Sequence, residues 1–144
     1  MTSGGLGERF VARLIDFALI GGGTWFLLSA ALGLGTFLSA FLVGCLTLAY
    51  FTLLEACTGR TVGKAALRLR VLGARGRRPT LEEALFRNCW VAPLVLAGVP
   101  YLGLVCLAGV AIAGAVIGVQ INNDPMYAIA WHDRFARTRV LQSV

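Results

Sequence analysis

Three carboxylates stand at the edges of long apolar blocks, where a side chain could exchange a proton for a cation. Asp16 comes just before the first block, Glu55 ends it, and Asp133 comes after the second. Ionisable residues at a membrane edge are rare and are usually paired or functional. Because a carboxylate in a medium of low dielectric constant can swap a proton for a cation, cation/proton exchange is one chemistry open to them. The basic residues that we expect to hold them ionised are Arg9, Lys64 and Arg87.

A histidine next to an acid offers a second chemistry, general acid–base catalysis. His132 precedes Asp133, but neighbours on a helix point about 100° apart, and no serine or cysteine nucleophile pattern accompanies them. We therefore expect a hydrogen-bonded surface histidine and no enzyme. The cysteines show no metal-ligand spacing, so we expect reduced thiols, no metal site and no cofactor. They are Cys45, Cys57, Cys89 and Cys106.

The stretch from Thr58 to Lys64, TGRTVGK, has the outline of a phosphate-binding loop but departs from it in three ways. Only three residues separate Gly59 from Gly63, where the loop needs four. Ala65 occupies the position of the magnesium-binding hydroxyl, and the pattern before the loop is not that of a strand. We therefore reject nucleotide binding at this stretch.

The elements that must position these residues belong to a membrane protein. The 144 residues are 58% hydrophobic and 14% charged, and their mean hydropathy is +0.78. Thirty-eight residues from Phe17 to Leu54 and thirty-six from Asn88 to Asn123 carry no charge. About 20 residues cross ~30 Å of hydrocarbon, so each block has room for two short helices. We predict an all-α integral membrane protein with four short transmembrane helices, arranged as two hairpins.

Helix-breaking residues set the bounds of the predicted spans. Residues 33–36 divide the first block, and residues 98–100 divide the second. The predicted spans are residues 14–32, 37–54, 85–99 and 101–121, within one domain of residues 1–144. Two small-residue pairs, Ala40/Gly44 and Gly114/Gly118, would let helices approach closely. The second pair could serve within the chain or between copies.

The charges fall in three clusters, and the central one is strongly basic. Of the net charge of +6, the segment 55–87 contributes +5, the C-terminal cluster +1 and the N-terminal cluster zero. An excess of Lys and Arg in short loops marks the cytoplasmic side. With two helices in each block all three clusters lie on that side, so we expect both termini in the cytoplasm. We call residues 55–87 the platform.

The platform alternates apolar and basic residues from Leu67 to Leu72. This period of two predicts a short β-hairpin, and an amphipathic helix over residues 64–70 is the alternative. A capping box at residues 80–83 starts the helix that leads into the third span. We also predict an interfacial helix over residues 125–136, and a pair between Arg13 and Asp16 on one face of an N-terminal helix. Basic residues at the membrane surface attract anionic lipid head groups, so we expect lipid at the platform. We do not expect nucleic acid as a partner, because aromatic residues on which bases could stack are lacking among the basic residues of the platform.

Three motifs occur in order along residues 8–140. The first is Arg9-Phe-Val-Ala-Arg-Leu-Ile-Asp16; the second is Gly59-Arg-Thr-Val-Gly-Lys64 with the following Leu67-Arg-Leu-Arg-Val71 and a later Arg87; the third is Trp131-His-Asp133 before Thr138-Arg-Val140. Together they resemble the RDD family of bacterial membrane proteins, named for an arginine and two aspartates. The family usually has a Gly-Thr pair after its His-Asp, and Arg137 replaces that glycine here. The sequence therefore does not predict the family's tight turn at this point.

The resemblance implies transmembrane helices, a bacterial inner membrane and a role in transport. Some relatives look like cation/proton antiporters, and others look like accessory or quality-control subunits. Two hypotheses follow: cation/proton transport through a charged layer at the cytoplasmic rim, or a scaffold in which these charges form a structural cluster. The residues of the layer are Arg9, Asp16, Glu55, Lys64, Arg87 and Asp133.

A second set of residues is expected on the platform surface, facing lipid. It comprises Arg60, Thr61, Gly63, Arg68, Arg70, His132 and Thr138. The expected partners are the bilayer, anionic lipids, and a second copy or another membrane protein. One copy of four short helices encloses little space, so a transport path would need an oligomer.

Overall fold

The computed structural model describes residues 2–3, 5–74, 76–123 and 129–142. These parts form a mostly helical protein with one small antiparallel sheet. In chain order the helices are α1 (Leu6–Ala31), α2 (Thr36–Thr58), α3 (Val62–Ala66), α4 (Leu81–Asn88), α5 (Leu102–Asn123) and α6 (Trp131–Phe135). The strands are β1 (Thr2–Ser3), β2 (Leu69–Leu72) and β3 (Arg139–Gln142), and a 3₁₀-helix covers Cys89–Leu96.

Within the described residues, three helices are long and apolar enough to cross a membrane, namely α1, α2 and α5. They agree with the predicted spans over residues 14–32, 37–54 and 101–121. The third predicted span, residues 85–99, differs from the others. It consists of the end of α4 and the 3₁₀-helix, and neither piece by itself has the length of a spanning helix.

The 3₁₀-helix and the turn after it pack closely against α2 at two glycines, Gly44 and Gly98. Gly44 of α2 is so close that an added Cβ would lie 2.5 Å from Val95 Cα, and a Cβ on Gly98 would lie 2.7 Å from Ala40 Cβ. Pro93 lies inside the 3₁₀-helix, where its ring removes a backbone donor and disfavours regular α-helix. The small-residue pair Ala40/Gly44 thus admits a neighbour from the same chain.

Helix α1 begins as an α-helix over Leu6–Asp16 and continues with π-helical turns over Phe17–Gly22 and Phe26–Ala31. The first π-helical segment ends within a run of three glycines, residues 21–23, which are weak helix formers. The predicted N-terminal interfacial helix and the first predicted span therefore form one continuous helix, Leu6–Ala31.

Near the start of the platform, Gly59 ends α2. Its φ of +74° is the left-handed conformation that glycine adopts without strain, and its N–H donates to the Glu55 carbonyl at 2.9 Å. Thr61 caps α3 by accepting from the Lys64 N–H, and Thr80 and Glu83 form the predicted capping box on α4. These caps fix both ends of the platform.

The strand predicted around Leu67–Leu72 is present, but the predicted β-hairpin is wrong, and so is the alternative helix over residues 64–70. Strand β2 pairs with β3 from the C-terminus, which in turn pairs with β1 at the N-terminus. Val71 and Val140 face each other in this register and join Ala12 and Leu69 in a buried apolar cluster. Strand β2 pairs with β3 and not with a hairpin partner, because β3 places the apolar side chain of Val140 against Val71.

The interfacial helix predicted over residues 125–136 is described only in its last part. Residues 124–128 lie outside the described residues, and helix α6 covers Trp131–Phe135. The Trp131 N–H donates to the Gln120 side-chain oxygen near the end of α5 at 2.6 Å. This bond ties α6 to the long helix before it.

Candidate functional site

A chain of buried ion pairs joins five elements of the protein. Arg9 on α1 donates to Asp133 on α6 (Nη1 to Oδ2, 3.0 Å), and Arg87 on α4 lies 3.2 Å from the other Asp133 oxygen. Arg87 Nε is also 3.4 Å from Glu55 Oε2 at the end of α2, and Glu55 Oε1 contacts Lys64 on α3. Each of these side chains is at most 9% exposed. We call this set the charge chain.

Asn88, which the sequence analysis did not single out, links the charge chain to a second arginine. Its amide nitrogen donates to Glu55 Oε2 at 3.1 Å, and its oxygen accepts from Arg13 Nη2 at 2.7 Å. The Arg13 guanidinium lies 3.9 Å from the centre of the Phe51 ring, which provides a cation–π contact. In the sequence, the one sign of this role is that Asn88, a polar residue, stands at the first position of the second charge-free block.

Asp16 is buried beside the charge chain but is held by neutral donors. Its Oδ1 accepts from the Tyr50 hydroxyl at 2.7 Å and from the Gly63 N–H at 2.8 Å, and its Oδ2 accepts from Thr61 Oγ1 at 2.5 Å. The predicted pair between Arg13 and Asp16 is wrong, because Arg13 turns to Asn88 instead. The structure thus brings five of the six expected residues into one chain and places Asp16 in a separate site.

Thr138 and the backbone before it fix Asp133. The Thr138 N–H donates to the Asp133 carbonyl at 2.8 Å, and Arg87 donates to Thr138 Oγ1 at 3.3 Å. The tight turn that the sequence did not predict is present: Arg137 has a φ of +52° and donates its N–H to the Arg134 carbonyl at 3.2 Å. Arginine therefore adopts here a left-handed conformation that glycine would take with less strain.

His132 is buried, so the prediction of a surface histidine is wrong. Its Nε2 lies 3.5 Å from Asp133 Oδ1, which also contradicts the expectation that the two side chains point apart. Its Nδ1 has no hydrogen-bond partner in the part of the chain that the structure describes. Burial lowers the pKa of His132 to about 3, an effect that the nearby Asp133 only partly opposes, so the ring is neutral at neutral pH.

Two other groups outside the long helices have displaced pKa values. Burial by itself would raise the pKa of Asp133, but nearby positive charge, that of Arg87 first, outweighs burial and lowers the pKa. Asp133 is therefore ionised. Burial lowers the pKa of Lys64 to about 7, against the opposing attraction of Glu55.

The residues expected to face lipid separate into two groups. Thr61, Gly63, His132 and Thr138 are buried, so they face the protein interior. Thr61 and Gly63 belong to the Asp16 site, and Thr138 belongs to the charge chain. The arginines of the set are exposed and line an open cavity: Arg60, Arg68 and Arg70.

Apolar helices of spanning length, with the buried charges gathered where several helices begin or end, define a membrane protein of mostly helical fold. The chain matches the model of the RDD family over residues 3–137 and belongs to that family. The match covers nearly the whole chain and confirms the resemblance that the three motifs carry. Comparison with curated proteins and with solved structures gave no match.

Proposed function

We propose that this protein is a membrane scaffold or accessory subunit that transports no ion. It would hold a preformed basic surface for a partner membrane protein, a second copy of itself or anionic lipid. The observation that carries the proposal is the charge chain, in which both carboxylates have all their oxygens engaged. Glu55 contacts Lys64, Arg87 and Asn88, and Asp133 contacts Arg9 and Arg87.

A transporting carboxylate has to release its partners during each cycle, and these two are poorly placed to do so. Glu55 is 0% exposed and Asp133 is 1% exposed. Breaking a buried ion pair on one side costs about 3–5 kcal/mol, because the remaining charge is left uncompensated. The same free-energy cost makes the charge chain suitable as a structural lock, that is, a set of ion pairs that holds helices together. The lock ties α1 and α6, near the two termini, to the end of α2 and to the platform helices α3 and α4.

The sheet supports four spans with both termini on one side. Strands β1, β2 and β3 come from the N-terminus, the platform and the C-terminus, and one sheet cannot lie on two sides of a membrane. Between β2 and β3 the chain must therefore cross an even number of times. Helix α5 supplies one crossing, so residues 85–99 would supply the other.

The packing of residues 85–99 supports this fourth span. Asn88 contacts Glu55 at one end of α2, and Gly98 lies against Phe37 and Ala40 near the other end. A 3₁₀-helix rises about 2.0 Å per residue against 1.5 Å for an α-helix, so it covers more depth with fewer residues. With the Lys/Arg excess as the guide, both termini would face the cytoplasm of a bacterial cell, and the membrane would be its inner membrane.

Cation/proton exchange at Asp16 is a second candidate function. Asp16 is 0% exposed, and among the described residues its hydrogen-bond donors are the neutral groups of Tyr50, Thr61 and Gly63. Within the described residues no basic group forms an ion pair with it. A carboxylate without a fixed positive partner is the kind of group that can exchange a proton for a cation. This observation favours Asp16 over the paired Glu55 and Asp133.

Ion flux in proteoliposomes separates the two candidates. The purified protein is reconstituted with a pH-sensitive dye inside the vesicles, and Na⁺ or K⁺ is added outside. The scaffold proposal expects proton movement equal to that of protein-free vesicles, for the native chain and for Asp16→Asn alike. Cation-dependent proton flux that Asp16→Asn abolishes, with unchanged thermal unfolding, would overturn the scaffold and establish exchange. Tyr50→Phe serves as the matched variant, since it removes one donor to Asp16 and keeps its charge.

An enzymatic role is not part of the proposal. His132 and Asp133 are close, but the carboxylate is held by Arg9 and Arg87 and both residues are buried. A general acid or base must reach the proton that it moves. Here the acid–base pair is enclosed by the structure that it stabilises.

A further inference from the structure

An open cavity of about 1460 Å³ lies between the outer face of the sheet, the loop after β2, α4 and the turn after α6. Its wall contains six arginines, which is its most unusual property. They are Arg60, Arg68, Arg70, Arg77, Arg78 and Arg137. The only acidic residues in the described wall are Glu82 and Glu83, so the wall has an excess of four positive charges.

The arginines come from distant parts of the chain, so their meeting is a product of the fold. Arg60 follows α2, Arg70 lies on β2, and Arg137 lies in the turn before β3. The β2–β3 register places Arg70 opposite Leu141, which also lines the cavity. A solvated basic surface would need only the arginines of residues 60–78, which are close in sequence. The cavity also includes Arg137 from the C-terminal turn.

The two carboxylates of the described wall are too few to neutralise its six arginines. Glu83 already accepts the N–H groups of Thr80 (2.9 Å) and Ala74 (3.3 Å) in the cap of α4. Arg78 donates to the Cys57 carbonyl at 2.6 Å. For Arg60 and Arg137 the described part of the chain contains no carboxylate at ion-pair distance.

Arg137 is held in the cavity wall at a conformational penalty. Its φ of +52° lies in the left-handed region, which glycine adopts far more readily than a residue with a Cβ. The turn itself would form better with glycine. An arginine at this position therefore contributes something other than backbone stability, and what it contributes is a sixth cation in the cavity.

Two aromatic rings give the cavity an apolar side. Phe86 on α4 and Phe135 on α6 meet edge to face with 5.3 Å between ring centres. Both line the cavity and both are exposed, by 41% and 64%. A ligand that filled the cavity would thus meet arginines on one side and aromatic carbon on the other.

We propose that this cavity binds an anion with at least two phosphate groups and an apolar portion that packs on Phe86 and Phe135. Guanidinium groups bind phosphate oxygens in a bidentate geometry, and an excess of four charges matches more than one phosphate. The head group of a diphosphate phospholipid and a soluble pyrophosphate compound share this chemistry. The inference rests on the proposed function, since it names what the basic surface of the scaffold holds.

The test uses the full chain purified in detergent and two probes. Inorganic pyrophosphate is titrated by calorimetry, and lipid retention is measured by native mass spectrometry from phosphatidylcholine nanodiscs that contain cardiolipin. Nanodiscs with phosphatidylglycerol at equal total charge control for simple charge attraction. We expect saturable binding of at least one diphosphate probe and little retention of phosphatidylglycerol.

Arg137→Gly is the decisive variant, because it removes one cation while relaxing the backbone. We expect affinity to fall about tenfold, the size of one lost charge-assisted hydrogen bond, with a melting temperature equal to or above that of the native chain. Arg134→Ala is the matched control: it removes the same charge from an exposed side chain outside this cavity, and affinity should stay within about twofold.

Each outcome decides the inference. Pyrophosphate binding without cardiolipin retention identifies a soluble ligand, and cardiolipin retention without pyrophosphate binding identifies a lipid head group. Saturable binding of both probes supports the inference for the shared diphosphate chemistry. Absence of saturable binding for both probes would overturn the inference, as would equal losses from Arg137→Gly and Arg134→Ala or equal retention of phosphatidylglycerol. Ion flux that depends on Asp16 would overturn the scaffold instead, and it would leave the binding result standing, so the two failures are distinguishable.

Discussion

Arg9 and Asp133 are 124 positions apart in the chain, yet their side chains form a buried ion pair of 3.0 Å. Arg9 lies in the first turn of α1 and Asp133 in the short C-terminal helix α6. The pair therefore joins the first and the last helix of the described structure, α1 and α6. Arg87 then extends it from Asp133 to Glu55, so that the connection also includes α2 and the platform.

Removing the charge of Asp133 should destabilise the protein strongly. Asp133→Asn keeps the shape of the side chain but leaves Arg9 and Arg87 facing each other without a carboxylate between them. We expect the free energy of unfolding to fall by about 3–5 kcal/mol, measured by chemical denaturation in mixed micelles. Glu82→Gln, which removes an exposed carboxylate with no ion pair in the described structure, should change it by less than about 0.5 kcal/mol. Equal small effects would show that the charge chain is not a lock.

Gly63 should tolerate no side chain. A Cβ at this position would lie 2.9 Å from the Ala12 carbonyl carbon and 3.1 Å from the Asp16 carboxyl carbon, so Gly63→Ala must push α3 away from α1. We expect a loss of about 1–3 kcal/mol in unfolding free energy from this overpacking. Gly21→Ala is the control, because nothing lies within 4 Å of its added methyl group, and it should be neutral or stabilising by up to about 1 kcal/mol.

Part of this arrangement could be predicted from the sequence, because it depends on local patterns. The length of the two charge-free blocks predicted the long apolar helices, and the spacing of Thr80 and Glu83 predicted the cap on α4. The partner of β2 could not be predicted, since the alternation over residues 67–72 describes a strand but not its neighbour. Nor could Asn88, whose role depends on Arg13 and Glu55 meeting it from two other helices.

Below pH 6.5, acid should destabilise the protein in two stages, the first due to His132. Its ordinary pKa is 6.5, and burial lowers it to about 3 in the folded protein, so the unfolded chain binds a proton that the folded chain refuses. Stability from this group is complete above pH 6.5 and falls as pH drops toward 3, by up to about 1.4 kcal/mol per pH unit. Asp133, whose pKa lies below its ordinary 3.8, adds a further loss below that value.

The measurement for His132 is the free energy of unfolding against pH from 4 to 8. His132→Asn should remove the slope between pH 6.5 and 4. It should keep the slope between pH 7 and 8, which comes from the lowered pKa of Lys64. A native chain whose stability is flat between pH 6.5 and 4 would show that His132 takes up protons while folded. That result would contradict the buried position of the ring.

Four spans require Tyr101 and Cys57 to lie on opposite sides of the membrane. Cys57 is exposed at the end of α2, and Tyr101, in the turn before α5, is 87% exposed. In a chain whose native cysteines are replaced by serine, Tyr101→Cys should react with a membrane-impermeant maleimide added to intact cells. A chain that keeps only Cys57 should react only after the membrane is opened. If Tyr101→Cys also needs opening, residues 85–99 enter the membrane and return to the same side, and the parity argument from the sheet fails.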